Sequence, residues 1–183
     1  MNELFFALWF FLPAGIANVT PIFVSHIPFL KQWNYPLDFG HKQNGKRIFG
    51  DHKTIRGLVS GVILGTFSSL ILFYLSYKLL ATSYHLPYWY YQTNPILLGF
   101  LLSFGALLGD AVKSFFKRQL NVKPGNTWIP FDQIDYIAGG LLLGSFVHVL
   151  TLLQYGLIFV LWIGVHVLST FIGYFLHLKD HPL

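Results

Sequence analysis

Cysteine is absent from the chain, so disulfides and thiol chemistry are excluded and the redox compartment leaves no mark. Charge is scarce too: Asp, Glu, Lys and Arg make up 10% of the 183 residues, against about 25% in a soluble domain. A water-soluble globule is thereby excluded. In place of charge the chain is 54% hydrophobic and 19% aromatic. That is the composition of an integral membrane protein with interfacial belts of Trp and Tyr. A net charge of +5 does not point to nucleic acid. The basic residues gather in a few segments, where membrane topology and anionic headgroups account for them.

A transmembrane helix takes about 20 mostly apolar residues. Five segments qualify: Leu4–Val24, Gly57–Leu80, Pro95–Val112, Ile134–Leu153 and Tyr155–Leu176. The first lacks the basic leader and the small-residue cleavage site of a signal peptide. It reads as a retained helix, with Pro13 as a kink point. Ten of the 12 Lys and Arg lie between Lys31 and Arg56 or between Lys113 and Lys123, and the aromatic connector Ala81–Asn94 has none. The positive-inside rule then makes both basic segments cytoplasmic, with the N-terminus outside and Lys179 inside. The expected fold is an all-α polytopic bundle of about five transmembrane helices, one membrane domain over residues 1–183. Gly57, Gly61 and Gly65, then Gly105 and Gly109, then Gly140 and Gly144 recur at four-residue spacing. Small residues so spaced let helices approach closely, within one bundle or at a dimer face.

The densest chemistry lies in Gly109-Asp110-Ala111-Val112-Lys113-Ser114-Phe115-Phe116-Lys117-Arg118. On a helix, Asp110, Lys113, Ser114, Lys117 and Arg118 share one face. Such a stripe is unfavourable in lipid and useful against a phosphate held with metal ions. Asp132 and Asp135, three apart, share a face at the start of the fourth span and suit either helix capping or a ligand. With Asp110 they offer the hard oxygen ligands that Mg²⁺ prefers and shares with substrate phosphates. Lys113, Lys117 and Arg118 supply neutralising charge, Arg118 in bidentate form.

The first basic loop carries a second constellation: Pro36-Leu37-Asp38-Phe39-Gly40, Asn44-Gly45-Lys46-Arg47 and Gly50-Asp51-His52-Lys53-Thr54-Ile55-Arg56-Gly57. Lys53, Thr54 and Arg56 stand where the second helix begins, a place suited to an anion. Gly40 through Lys46 fits the opening of a P-loop, but Arg47 occupies the Mg²⁺-binding Ser/Thr position and no strand–loop–helix surrounds it. His41 and His52 lack metal-ligand spacing, and His148 and His166 stand alone on apolar helices, so zinc is not expected.

At these residues the chain resembles the CDP-archaeol synthase family, related to phosphatidate cytidylyltransferases. The matching elements are Pro36-Leu37-Asp38-x-Gly40, Gly45-Lys46-Arg47-x-x-Gly50, Lys53-Thr54-x-Arg56-Gly57, Gly109-Asp110-x-x-Lys113-Ser114-x-x-Lys117-Arg118, Lys123-Pro124-Gly125 and Phe131-Asp132-Gln133-x-Asp135. The ending Tyr174–Pro182 is similar as well, so the resemblance spans nearly the whole chain. Asn44 stands where the family usually has Asp, and Asp51-His52 replaces a more basic pair. The resemblance implies transfer of cytidylyl from CTP to a lipid phosphate, giving a CDP-activated lipid and pyrophosphate. It further implies Mg²⁺ on Asp110, Asp132 and Asp135, with charge neutralised by Lys113, Lys117 and Arg118. Asp38, Lys53, Thr54, Arg56 and Ser114 would bind substrate, with Asp38 also supporting the loop. The implied setting is the cell membrane, with the site facing the cytoplasm. Isoprenoid diether and diacyl phosphates both remain open as acceptors.

Two other classes use comparable residues. A transporter for an anionic metabolite would spread its charges through the membrane depth or show an inverted repeat, and neither is evident. A lipid phosphatase needs no nucleotide, and a kinase would transfer the γ-phosphate instead of releasing pyrophosphate.

Overall fold

The computed structural model describes residues 3–80, 92–123 and 126–175. The connector around 81–91, Pro124-Gly125 and the ending that holds Lys179 lie outside the described residues. The elements are α1 (Glu3–Ser25), the single turn α2 (Pro28–Lys31), β1 (Lys42–Gln43), β2 (Lys46–Arg47), α3 (Ile55–Leu80), α4 (Pro95–Gln119), α5 (Phe131–Gly144) and α6 (Leu152–Phe175). Helices α1, α3, α4 and α6 are long and apolar enough to cross a membrane. Their 23 to 26 residues correspond to about 34–39 Å of helix.

Neighbouring helices alternate in direction. Trp9 on α1 donates to Ser76 near the end of α3 (2.7 Å), and Gly65 of α3 lies against Pro13. Ser69 of α3 donates to the Pro95 carbonyl (2.9 Å), which starts α4 beside the middle of α3 and sends it back. Asn94 caps α4, its side-chain oxygen accepting from the amides of Ile96 and Leu97, with Pro95 in the first turn. Helix α5 reverses again, with Gly109 against Asp135 and Gly144 against Leu102. Helix α6 returns beside α1, where the Trp162 indole donates to the Ala7 carbonyl (3.1 Å) and its ring meets Phe11 edge-on. Phe6, Phe11, Leu98, Leu102, Ile137 and Ile158 complete the core among these helices.

The glycine stripes are seams within the bundle. A methyl group at Gly61 would stand 2.8 Å from the Ala17 carbonyl oxygen, and one at Gly105 would overlap the Gly139 carbonyl. Gly109 meets the Asp135 carbonyl as closely. Without side chains at these points the α4 and α5 backbones touch.

The expected span Ile134–Leu153 is corrected. Its helix begins at Phe131 and stops at Gly144, 14 residues or about 21 Å of helix. The Ser145 hydroxyl returns to the Leu141 carbonyl (2.6 Å) and meets the Tyr155 hydroxyl (2.5 Å). A new helix then starts behind Thr151 and Gln154. Each side chain accepts from the other's backbone amide, a capping box at α6. Hydropathy misses this stop because Phe146, Val147, Val149 and Leu150 continue the apolar run through the break. Helix α4, by contrast, outruns its apolar stretch and carries the charged face to Gln119.

Candidate active site

The first basic loop is a small folded scaffold. Asn44 and Gly45 both have positive φ, 51° and 79°, and form the two-residue turn between β1 and β2. Asn-Gly favours this turn because its geometry suits the twist of a hairpin. The segment that mimicked a P-loop opening is therefore a hairpin, an element of β structure that the all-α expectation left out. Asp38 is buried beneath it. Its carboxylate accepts from the amides of Gly40 (3.1 Å), Phe49 (2.9 Å) and Gly50 (3.0 Å), and pairs with the Arg47 guanidinium at 2.6 Å. Burial by itself would push this carboxyl up. The Arg47 guanidinium and the amides of Gly50, Phe49 and Gly40 outweigh it and hold Asp38 well below the usual carboxylate range.

The base of the loop is pinned by Leu37 donating to the Lys53 carbonyl (2.7 Å) and Ile55 donating to the Tyr35 carbonyl (2.9 Å). Lys46 fastens the hairpin to the end of α4 through the Gln119 carbonyl (2.5 Å). Lys53 reaches α4 as well, with its ammonium paired to Asp110.

The second cluster forms where α4 meets the start of α5. Lys113 Nζ lies 3.1 Å from Asp110, 2.9 Å from Asp132 and 2.9 Å from Asp135. Lys117 holds Asp132 from the other side at 3.0 Å and donates to the Asn126 carbonyl (2.7 Å). Three carboxylates thus meet three ammonium groups in a partly buried pocket. The helical face read from the sequence explains Asp110, Lys113 and Lys117, one or two turns apart on α4. Asp132 and Asp135 come from the first turns of α5, brought close by the Gly109 seam.

Other expected members have internal duties. Ser114 is on the predicted face, with its hydroxyl donating to the Asp110 carbonyl (2.8 Å). Thr54 caps α3 by accepting from the Gly57 amide (3.1 Å). Arg56 turns away from Lys53, donating to the Leu30 carbonyl (2.9 Å) and Asn34 (3.3 Å). Lys53 and Arg56 thus hold different partners. Arg118 packs its methylenes beside Gly50, and its Nε is buried without a hydrogen-bond partner. Asp132 does not cap α5, whose N-cap is Pro130; it accepts from the Trp128 amide (2.5 Å) and closes the preceding turn.

Among the described residues, no three acidic or imidazole side chains stand as a ready-made metal-ligand set. In the cluster the Lys113 ammonium already occupies the point on which the carboxylates converge. It serves as a stand-in cation. The donors are hard oxygens of the kind Mg²⁺ takes, and buried Asp135 Oδ2, although ion-paired with Lys113, makes no aligned hydrogen bond. The residues fit the metal, provided that Lys113 yields its place.

A family model described as CarS-like, CDP-archaeol synthase, matches residues 1–183. The chain is 38% identical to the CDP-archaeol synthase of Thermococcus gammatolerans over 143 residues, covering 77% of this chain and 74% of that one. It is 33% identical to the CDP-archaeol synthase of Methanocaldococcus jannaschii over 178 residues, covering 97% and 96%. A solved structure, described as an intramembrane enzyme for archaeal membrane lipids biosynthesis, superposes with a TM-score of 0.72 at 26% identity. That match covers 89% of this chain and 91% of the other. Nothing in these matches points to a transporter, a phosphatase or a kinase.

Proposed function

Since this chain belongs to the CDP-archaeol synthase family, membrane cytidylyltransferases that make a CDP-activated lipid, we propose that its reaction takes place at the α4–α5 cluster. The observation that carries this assignment is the convergence of Asp110, Asp132 and Asp135 on one Lys113 ammonium. In the reaction, an oxygen of the lipid phosphate attacks the α-phosphorus of CTP. One P–O bond forms, the bond to the β-phosphate breaks, and pyrophosphate leaves with the electron pair. No covalent enzyme intermediate is required, because the lipid phosphate is itself an anionic nucleophile.

Charge balance argues for a metal. Lys53, Lys113 and Lys117 are matched one for one by the three carboxylates. The cluster has little positive charge left over for a triphosphate and a lipid phosphate together. Asp110, Asp132 and Asp135 would hold Mg²⁺, which would supply that charge and help the in-line displacement. Lys113, released from the carboxylates, then bears on phosphate oxygens, with Lys117 beside it. Lys53 closes the site from the loop, and Arg118 is the further cation at its edge. Their contribution is positioning and stabilisation of charge that develops on the leaving group. The basic residues around this site favour its placement on the cytoplasmic face of the cell membrane, where CTP is found.

The test is a transfer assay on detergent-purified protein with Mg²⁺, CTP labelled in the cytidine, and two acceptors, a diacyl phosphatidic acid and a diether isoprenoid glycerophosphate. The expected result is label in a chloroform-soluble product with pyrophosphate released, abolished by EDTA and restored by Mg²⁺. Folded protein that labels neither acceptor overturns the reading. Transfer that persists in EDTA overturns the metal assignment alone.

A further inference from the structure

A cavity of about 590 Å³ lies between α4 and α5, and its lining is apolar except at one end, where Lys113 and Asp135 enter it. Its origin can be traced to the glycine seam. Gly105 and Gly109 on α4 touch Gly139 and the Asp135 backbone on α5, so the helices meet without intervening side chains. On the side away from the core this leaves a trough. Leu108, Val112 and Phe116, successive i, i+4 positions, form one wall, and Leu142 belongs to the other. These four residues are among the exposed large hydrophobics, Leu142 at 68%. The trough therefore opens sideways, toward lipid.

Its direction matters. From Lys113 to Gly105 the trough follows eight residues of α4, about 12 Å at 1.5 Å per residue. It runs from the charged cluster away from the basic end of the helix, toward the middle of the bilayer. An amphiphile with its phosphate at the cluster has its chain on this path. Trp128 and Phe131, whose rings pack at 4.4 Å, stand at the charged end, where aromatic residues suit a membrane interface. The volume is within the range of small-molecule sites, about 300–1,000 Å³.

We infer that the α4–α5 trough holds a hydrocarbon chain of the lipid phosphate, admitted laterally from the bilayer, with Leu108 and Leu142 as the residues that sense the chain. This rests on the lipid-phosphate reading of the neighbouring cluster. The occupant fits by charge as well as by shape: the ammonium at the charged end suits a phosphate, and the apolar walls suit hydrocarbon.

The experiment compares Leu142→Trp and Leu108→Trp with Val160→Trp, a control at an exposed α6 position outside the trough. KM is measured for a long-chain diether glycerophosphate, for its short-chain dioctyl diether counterpart and for CTP. The trough variants are expected to raise KM for the long-chain lipid at least tenfold and to leave KM for CTP within twofold, with a smaller change for the short chain. Equal effects on both chain lengths, or the same effect in Val160→Trp, would overturn the inference. A second measurement is independent of turnover: a lipid phosphate carrying a mid-chain diazirine is photolysed with the unaltered protein and the labelled peptide is identified. Label on α4 or α5 near Leu108 or Leu142 is the expected result, and label confined to α3 or α6 overturns it. If the protein transfers no cytidylyl yet the diazirine labels the trough, the functional reading fails while the chain site stands.

Discussion

The first basic loop and the α4–α5 cluster look alike in sequence, each a run of Asp, Lys and Arg in an apolar chain, but they use charge in opposite ways. Asp38 spends its carboxylate on three backbone amides and one guanidinium, all within the loop. Backbone donors cannot leave, so that anion is committed to holding the hairpin. Asp110, Asp132 and Asp135 are instead held mainly by lysine side chains. An ammonium on a flexible four-carbon stem can move to a phosphate and surrender its carboxylates to another cation. What separates scaffold from site is whether the partner can be exchanged, and charge density alone does not reveal it.

The comparison breaks most visibly at Asp38. Asp38→Ala leaves three amides without their acceptor and Arg47 with the exposed Asp51 alone, and removal of one member of a buried ion pair costs about 3–5 kcal/mol. The expected outcome is a large loss of thermal stability, with the fraction that folds keeping its Mg²⁺ requirement. An unchanged melting temperature would mean that the hairpin does not depend on its buried anion. Asp110→Asn should do the reverse. Folding is retained, kcat falls about 10²–10³-fold, the range seen when one preorganised charge-stabilising group is lost, and the Mg²⁺ concentration for half-maximal activity rises. Near-normal turnover by a folded Asp110→Asn protein would remove that residue from the proposed metal site.

Much of this division is legible from residue spacing, and the remainder is hidden for identifiable reasons. The i, i+3, i+4 periodicity carried the Asp110–Lys117 face, because a helix that outruns its apolar stretch must place those residues together. Asp38 reads as a substrate-binding and loop-supporting residue, and its three backbone donors, unlike Arg47, leave no trace in side-chain pattern. Arg56 parts from Lys53 because its guanidinium is taken up by the Leu30 carbonyl and Asn34, partners that lie upstream of the helix start at Ile55. Asn44-Gly45 is a hairpin signal lying inside the stretch that also fits the opening of a phosphate loop. The end of α5 at Gly144 was masked by apolar residues, although Thr151-x-x-Gln154 marks the next helix start. Gly139, the residue that meets Gly105 and Gly109, sits beside the Gly140–Gly144 pair singled out by spacing. Neither the place of Lys113 among three carboxylates nor the lateral trough has a one-dimensional signature, because both arise from α4 lying against α5.

The smallest expected signal sharpens the same contrast through pH. The Asp38 carboxyl is lowered by its partners, so its stabilising contribution is complete above the ordinary carboxylate value of about 3.9. As pH falls below that value, the unfolded chain takes up a proton that the folded loop still refuses, and stability drains by at most about 1.4 kcal/mol per pH unit until the lowered value is passed. Asn at position 38 cannot titrate. The stability gap between the natural protein and Asp38→Asn should therefore be flat from pH 7 to about pH 5 and should narrow below pH 4, as followed by thermal unfolding in detergent. A gap that closes already between pH 7 and 5 would require Asp38 to titrate near neutrality, which is incompatible with a carboxylate bound to Arg47 and three amides. A gap that persists undiminished well below pH 4 would mean that the variant is destabilised by the shape of its amide and not by the missing charge. The loop would then be a scaffold set by packing, and fixed charge would lose its claim as the feature that distinguishes it from the exchangeable cluster on α4 and α5.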